Sequence, residues 1–185
     1  MDATRCISYL TVEHRGAIAD DLRPRMGDWV FGCDVCQEVC PWNRARPAAR
    51  HAELGSRAGV GASLDLIELA RMDHATYLSR FRGTALKRAH HAGLRRNAVI
   101  AMGNVADPET VPALLEMLRD PDPVLRHHSA WALGRQASLS GETRRAMRDA
   151  ASFEHDPWVY DEILAALARH GDGRAPSARL DEASG

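Results

Sequence analysis

Asp-Pro recurs along the second half of this chain in step with a repeated apolar segment, and that recurrence restricts the fold more than any other feature. Leu94-Arg95-Arg96-Asn97 with Ala101-Met102-Gly103 lines up, 31 residues later, with Leu125-Arg126-His127-His128 and Ala132-Leu133-Gly134. Asp122-Pro123-Val124-Leu125 aligns again, 34 residues on, with Asp156-Pro157-Trp158-Val159, and Ala132-Leu133 aligns with Ala166-Leu167. Asp before Pro starts a helix: the carboxylate accepts from first-turn amides, and proline lacks an amide that would otherwise go unpaired. Val111, Leu114, Leu115 and Leu118 form an apolar stripe between two such starts. Ser63 or Asp65 caps a helix running to about Met72, and Asp73 caps a short one carrying Tyr77, Leu78 and Phe81. Further helices run from about Glu142 and from Pro157 to Arg169.

Hairpins of this period bury their apolar faces only against neighbouring units. Residues 63–171 are therefore expected to form a short HEAT-type α-helical repeat domain, and the chain to be mainly α. An ordinary helical bundle with chance matches in an Ala-rich chain is the alternative. Residues 46–62, rich in Ala, Arg, Gly and Pro, read as a linker, and residues 172–185 as a flexible tail.

Residues 1–45 are different: turn-rich, and home to all four cysteines. Four cysteines in 185 residues are too few for a secreted disulfide framework. The run Cys33-x2-Cys36-x3-Cys40-Pro41 matches the last three cysteines and the proline of the bacterial ferredoxin pattern, in which thiolates wrap an iron–sulfur cubane. The first cysteine of that pattern falls on Val30, and Cys6 is the remaining thiol that can replace it. This predicts a partial ferredoxin-like [4Fe-4S] segment with Cys6, Cys33, Cys36 and Cys40 as metal ligands. A four-cysteine zinc site and plain structural thiols are the competing readings, although zinc ligands usually come as two short-spaced pairs. Trp42 is expected to shield the cluster. His90-His91 and His127-His128 make poor metal pairs, because adjacent residues point to different helix faces.

Charge is balanced overall, with 24 basic and 25 acidic residues, and Lys87 is the single lysine. The balance is not uniform. From His74 to Ala106 there is no Asp or Glu, while Arg80, Arg82, Lys87, Arg88, Arg95 and Arg96 supply fixed positive charge. Such a segment is an electrostatic footprint for phosphates, reinforced if Arg95, Arg96 and Asn97 open a helix. A solvated face paired with Asp107, Glu109 and Glu116 is the other reading. No run approaches a membrane span, and no apolar signal core follows Met1, so a cytoplasmic location is expected.

Two stretches carry a family likeness. Asp2-Ala3-Thr4-Arg5-Cys6-Ile7-Ser8-Tyr9-Leu10-Thr11-Val12-Glu13 and Gly32-Cys33-Asp34-Val35-Cys36-Gln37-Glu38-Val39-Cys40-Pro41-Trp42-Asn43 resemble the second cluster segment of epoxyqueuosine reductases. The likeness continues through Thr84-Ala85-Leu86-Lys87-Arg88 and Leu94-Arg95-Arg96-Asn97 to Ala101-Met102-Gly103-Asn104, with Thr84 where the family has Ser. It implies a cobalamin-dependent, two-cluster enzyme that reduces epoxyqueuosine to queuosine at the wobble position of a tRNA. By the same likeness Cys6, Cys33 and Cys36 bind one cubane and Cys40 reaches the other. Ser8, Cys33 and Asp34 lie near the corrin, and the helical repeat holds the tRNA anticodon arm, which together with the basic segment makes Lys87, Arg88, Arg95, Arg96 and Asn97 the expected tRNA contacts.

The resemblance is to the C-terminal half alone. The family's cobalamin-binding domain and upstream cysteine run have no counterpart in these 185 residues. The expectation is a fragment or subunit that relays electrons and binds tRNA beside an N-terminal cobalamin-binding half and an electron donor, inactive by itself. The alternative is a non-enzymatic HEAT-repeat interaction protein holding a single cluster.

Overall fold

The computed structural model describes residues 2–43 and 63–171. The expected linker and tail lie outside the described residues. A 3-10 turn at Ala3–Arg5 leads into α1 (Ile7–Val12), a second at Arg23–Met26 interrupts the following loop, and α2 (Val35–Glu38) carries the middle of the cysteine run. After residue 63 come α3 (Leu66–Arg71), α4 (His74–Arg80), a 3-10 turn at Ala85–Ala89, α5 (His90–Val105), α6 (Val111–Met117), α7 (Pro123–Gly134), α8 (Gly141–Phe153) and α9 (Pro157–Arg169).

Local chemistry sets the starts of most of these helices. Asp65 accepts from the Glu68 amide, Asp73 from Thr76, Asp122 from Val124, Ser140 from Thr143 and Asp156 from Trp158. Asp107 does the same for the short turn before α6. The short helices α1 and α2 lack a side-chain cap bond, and so does the long α5. The sequence offers no acidic cap ahead of it, its N-cap Ala89 makes no side-chain cap bond, and the helix begins at His90. Arg95, Arg96 and Asn97 are therefore inside α5 and do not open it, which removes the helix-end amides expected to aid an anion there.

Packing follows the repeat. α7 lies between α5 and α9, while α6 packs on α7 and α8 on α9. The repeated glycines mark where these helices meet. A Cβ on Gly103 would sit 2.7 Å from the Trp131 ring and 2.8 Å from Ala132 Cα, and one on Gly134 would sit 3.0 Å from Ala166 Cα. Only a hydrogen fits at either crossing.

The cysteine-bearing segment shares the core of the helical stack. Leu10, Ile18 and Met26 belong to the same buried apolar cluster as Leu94, Ile100, Leu125 and Leu133. Val30 and Phe31 pack against it as well. Val30, at the place of the first ferredoxin cysteine, thus serves the core.

Candidate functional site

The four cysteines stand on short, separately held pieces of chain, and none is in a disulfide. Cys6 precedes α1 as its N-cap residue and Cys33 follows Gly32, whose φ of +74° turns the chain. Cys36 is exposed within α2, and Cys40 ends that segment half-buried before Pro41. Gly32 N donates to Thr11 Oγ1 at 3.0 Å, which ties the Cys33 loop to the helix that Cys6 begins. Thr11 Oγ1 in turn donates to Ile7 O at 2.8 Å. Soft, unpaired thiols on two tethered segments suit a cluster. Among the described residues no three His, Cys, Asp or Glu side chains gather closely enough to hold a single ion. Ser8 is half-buried on α1 and Asp34 is exposed at the start of α2. Trp42, expected to shield the cluster, is 93% exposed among the described residues.

The basic segment is divided between inside and outside. Arg96 and Asn97, expected on the RNA-facing surface, are 3% and 0% exposed. The Arg96 guanidinium donates to Leu10 O at 2.9 Å, His14 O at 3.1 Å and Gly16 O at 2.7 Å. Burial, with the charge of Arg15 adding to it, lowers Arg96 to about 10, so it stays charged at neutral pH and needs those carbonyls. Asn97 Nδ2 donates to Thr11 O and Val30 O, both at 2.8 Å. No polar group of either residue is left at the surface to meet a phosphate. Arg95 also turns inward, to Asp120 Oδ2 at 2.6 Å and Ala70 O at 2.7 Å. Arg80 pairs with Glu68 and Arg88 with Glu13.

What remains outside is a smaller basic rim. Arg82, Lys87 and Arg88 are exposed, and among the described residues Arg82 and Lys87 pair with no carboxylate. Arg15 joins them from the cysteine segment, donating to Arg88 O at 2.8 Å across 73 residues of sequence. The charge pattern alone held no sign of that neighbour. Thr84 uses its hydroxyl locally, on Phe81 O at 2.9 Å. The partners expected for a purely solvated face, Asp107 and Glu109, are not the ones used; Glu116 pairs with Arg71 at 2.7 Å.

Asn104, Arg23 and Glu162 gained importance only in the folded chain. Asn104 Nδ2 donates to Arg23 O at 2.8 Å and Gly27 O at 2.9 Å. Arg23, 1% exposed, reaches Asp20, Glu162 and His127 from the loop between α1 and α2. Burial keeps its basicity below the ordinary arginine value, and burial raises the Glu162 carboxyl.

Known proteins show the same organisation. A family model described as a 4Fe-4S double cluster binding domain matches residues 1–43, and one described as HEAT repeats matches residues 79–168. The epoxyqueuosine reductase of Aliivibrio fischeri is 39% identical over 148 residues, 80% of this chain and 40% of that protein. That of Escherichia coli is 40% identical over 136 residues, 74% of this chain and 36% of that protein. A crystal structure of selenomethionine-labelled epoxyqueuosine reductase superposes with a TM-score of 0.81 at 28% identity, covering 91% of this chain and 44% of that one. A second, of an epoxyqueuosine reductase with an epoxyqueuosine-modified tRNA-Tyr stem loop, gives 0.79 at 27% identity, with 91% and 44% covered. The chain thus spans about two fifths of the length of these curated relatives. It is a homologue of the C-terminal part of the epoxyqueuosine reductases, the part that joins a cluster-binding segment to HEAT repeats.

Proposed function

We propose that this chain supplies the cluster relay and part of the tRNA grip of an epoxyqueuosine-reducing enzyme. The observation that carries the reading is the tethering of the Cys6 helix to the Cys33 loop through Thr11 and Gly32, beside an exposed basic rim on the same chain. Cys6, Cys33 and Cys36 would hold one [4Fe-4S] cluster and Cys40 would reach a second; when bound, such a cluster supplies one-electron transfer. Ser8, Cys33 and Asp34 are assigned to the edge of a cobalamin held mainly by polypeptide beyond the matched span, whether in the same protein or in a separate N-terminal half. Lys87 and Arg88, with Arg15 beside Arg88 and Arg82 five residues before Lys87 in sequence, neutralise backbone phosphates of the anticodon arm, and base reading falls to other contacts. We assign the chain to the cytoplasm, where tRNA and reduced thiols coexist; among the described residues no helix is long and apolar enough to cross a membrane.

Anaerobic reconstitution with iron and sulfide, followed by binding of a tRNA anticodon hairpin over a range of salt, tests both halves of this reading. It expects roughly four iron atoms per cluster formed and a log–log salt slope of roughly 2–3, set by the few exposed cations. Iron uptake without hairpin binding would favour a HEAT-repeat interaction protein stapled by one cluster. The 185-residue chain supplied with cobalamin and a reductant is expected to leave the epoxide intact, and turnover would overturn that part.

A further inference from the structure

α5 turns three polar side chains toward the cysteine-bearing segment: Arg96, Asn97 and Asn104. Asn97 and Asn104 are seven residues apart and so share a helix face. Each spends both amide protons on two backbone carbonyls of the cysteine-bearing segment. Their targets differ. Asn104 grips Arg23 O and Gly27 O, around the 3-10 turn. Asn97 grips Thr11 O, on the helix that Cys6 begins, and Val30 O, three residues before Cys33.

The orientation of the Asn97 amide is not free. Its Oδ1 accepts from Arg96 Nε at 3.1 Å and Arg96 Nη2 at 2.9 Å, so Nδ2 must face the two carbonyls. Arg96 is itself held by three carbonyls of the same segment. Thr11 closes the arrangement, since its hydroxyl accepts from Gly32 N, next to Cys33. Asn97 and Thr11 are 0% and 1% exposed, so water does not replace these bonds.

We propose that Asn97 is a positioning residue for the iron–sulfur site, its amide holding the Cys6 helix and the Cys33 loop at the spacing in which their thiols meet one cluster. The proposal rests on the cluster reading above and goes beyond it by assigning the control of ligand spacing to the repeat domain. It also gives Asn97 a role toward the cluster in place of the expected contact with tRNA. Groups that orient metal ligands commonly change metal retention by about 10–100-fold when removed.

The test compares the full chain with Asn97→Ala, Asn97→Asp and Asn104→Ala after anaerobic reconstitution. The readouts are release of iron to a chelator, the EPR spectrum of the reduced cluster and the melting temperature. Asn97→Asp keeps the size and the oxygen facing Arg96 while replacing the donor, and it decides the question if Asn97→Ala does not fold. Both Asn97 variants should release iron at least about tenfold faster with an altered EPR spectrum. Asn104→Ala, which removes an equivalent pair of bonds, should lower the melting temperature yet keep the parent's release rate and spectrum. The proposal is overturned if Asn97→Asp behaves as the parent, or if Asn104→Ala changes release and spectrum as much as the Asn97 variants do. A parent chain that takes up no iron overturns the cluster reading beneath it, and the proposal with it.

Discussion

The Arg23 guanidinium donates to Nε2 of His127 at 2.8 Å, with both side chains buried. That bond fixes the histidine's tautomer: Nε2 accepts, Nδ1 carries the proton and donates to Trp158 O at 3.2 Å, and the ring stacks on Trp158 at 3.6 Å. Glu162 lies 3.6 Å from the same Nε2, but Arg23 already occupies that lone pair, so the contact is not an ion pair. His128 is arranged alike, accepting from Ile18 N at 3.2 Å and donating to Val124 O at 2.7 Å. Two neutral histidines on α7 thus bind the cysteine segment to the repeat.

Acid should loosen that junction. Burial lowers His127 to about 4 and His128 to about 3 from the ordinary 6.5. Below 6.5 the unfolded chain takes up protons that the folded chain refuses, so stability is full above that pH and falls as pH drops toward 4. His127 alone accounts for up to about 3 kcal/mol of the loss. Glu162, raised by burial, has the opposite slope but is one group against two. Melting temperatures between about pH 7 and about pH 5 should fall steeply, and His127→Gln should flatten the curve. An unchanged melting temperature across that range would refute this.

Gly103→Ala should destabilise the stack. Alanine improves helix propensity by about 1 kcal/mol, but its methyl would meet Trp131 at 2.7 Å and the Ala132 backbone at 2.8 Å. Backbone cannot yield as a side-chain tip can, so a net cost of about 1–3 kcal/mol is expected, read by chemical denaturation. A neutral or stabilised variant would mean that α5 and α7 can separate freely.

Removing surface and buried cations should have different consequences. Lys87→Ala and Arg88→Ala should weaken hairpin binding across sequences and lower the salt slope by about 1 each, with little change in melting temperature. Arg96→Ala should do the reverse, taking the buried guanidinium away from Leu10 O and Gly16 O, leaving His14 O only its 3.4 Å bond from Arg15, and lowering stability. Loss of hairpin binding by Arg96→Ala at full stability would restore the surface role expected from the charge pattern.

Cys33→Ser and Cys36→Ser should each abolish uptake of one cluster, measured as iron and sulfide bound per chain, because a hydroxyl is a poor ligand for cluster iron. Cys40→Ser should spare that cluster if its thiol serves another centre. Equal loss in all three variants would place Cys40 on the same cluster.

Much of the architecture was legible because its causes are local. Asp122, Asp156 and Asp107 cap their own first turns, the apolar residues recur with the helix, and Cys33, Cys36 and Cys40 need only their spacing to be noticed. The side of each helix that another segment covers has no local cause. Arg96 and Asn97 read as RNA contacts because they lie in an acid-free basic run; they are buried because carbonyls more than 60 residues upstream fold onto that face of α5. Nothing in the sequence around Arg23 marks it as internal, yet it becomes a buried strut, since His127 and Glu162 come from α7 and α9. The sequence by itself determined the thiols and the helix starts that carry their own Asp or Ser cap, but not the start of α5. Only the tertiary structure decided which cations stayed in solvent and which were drawn inside, because a buried guanidinium persists only where distant carbonyls and carboxylates replace its water.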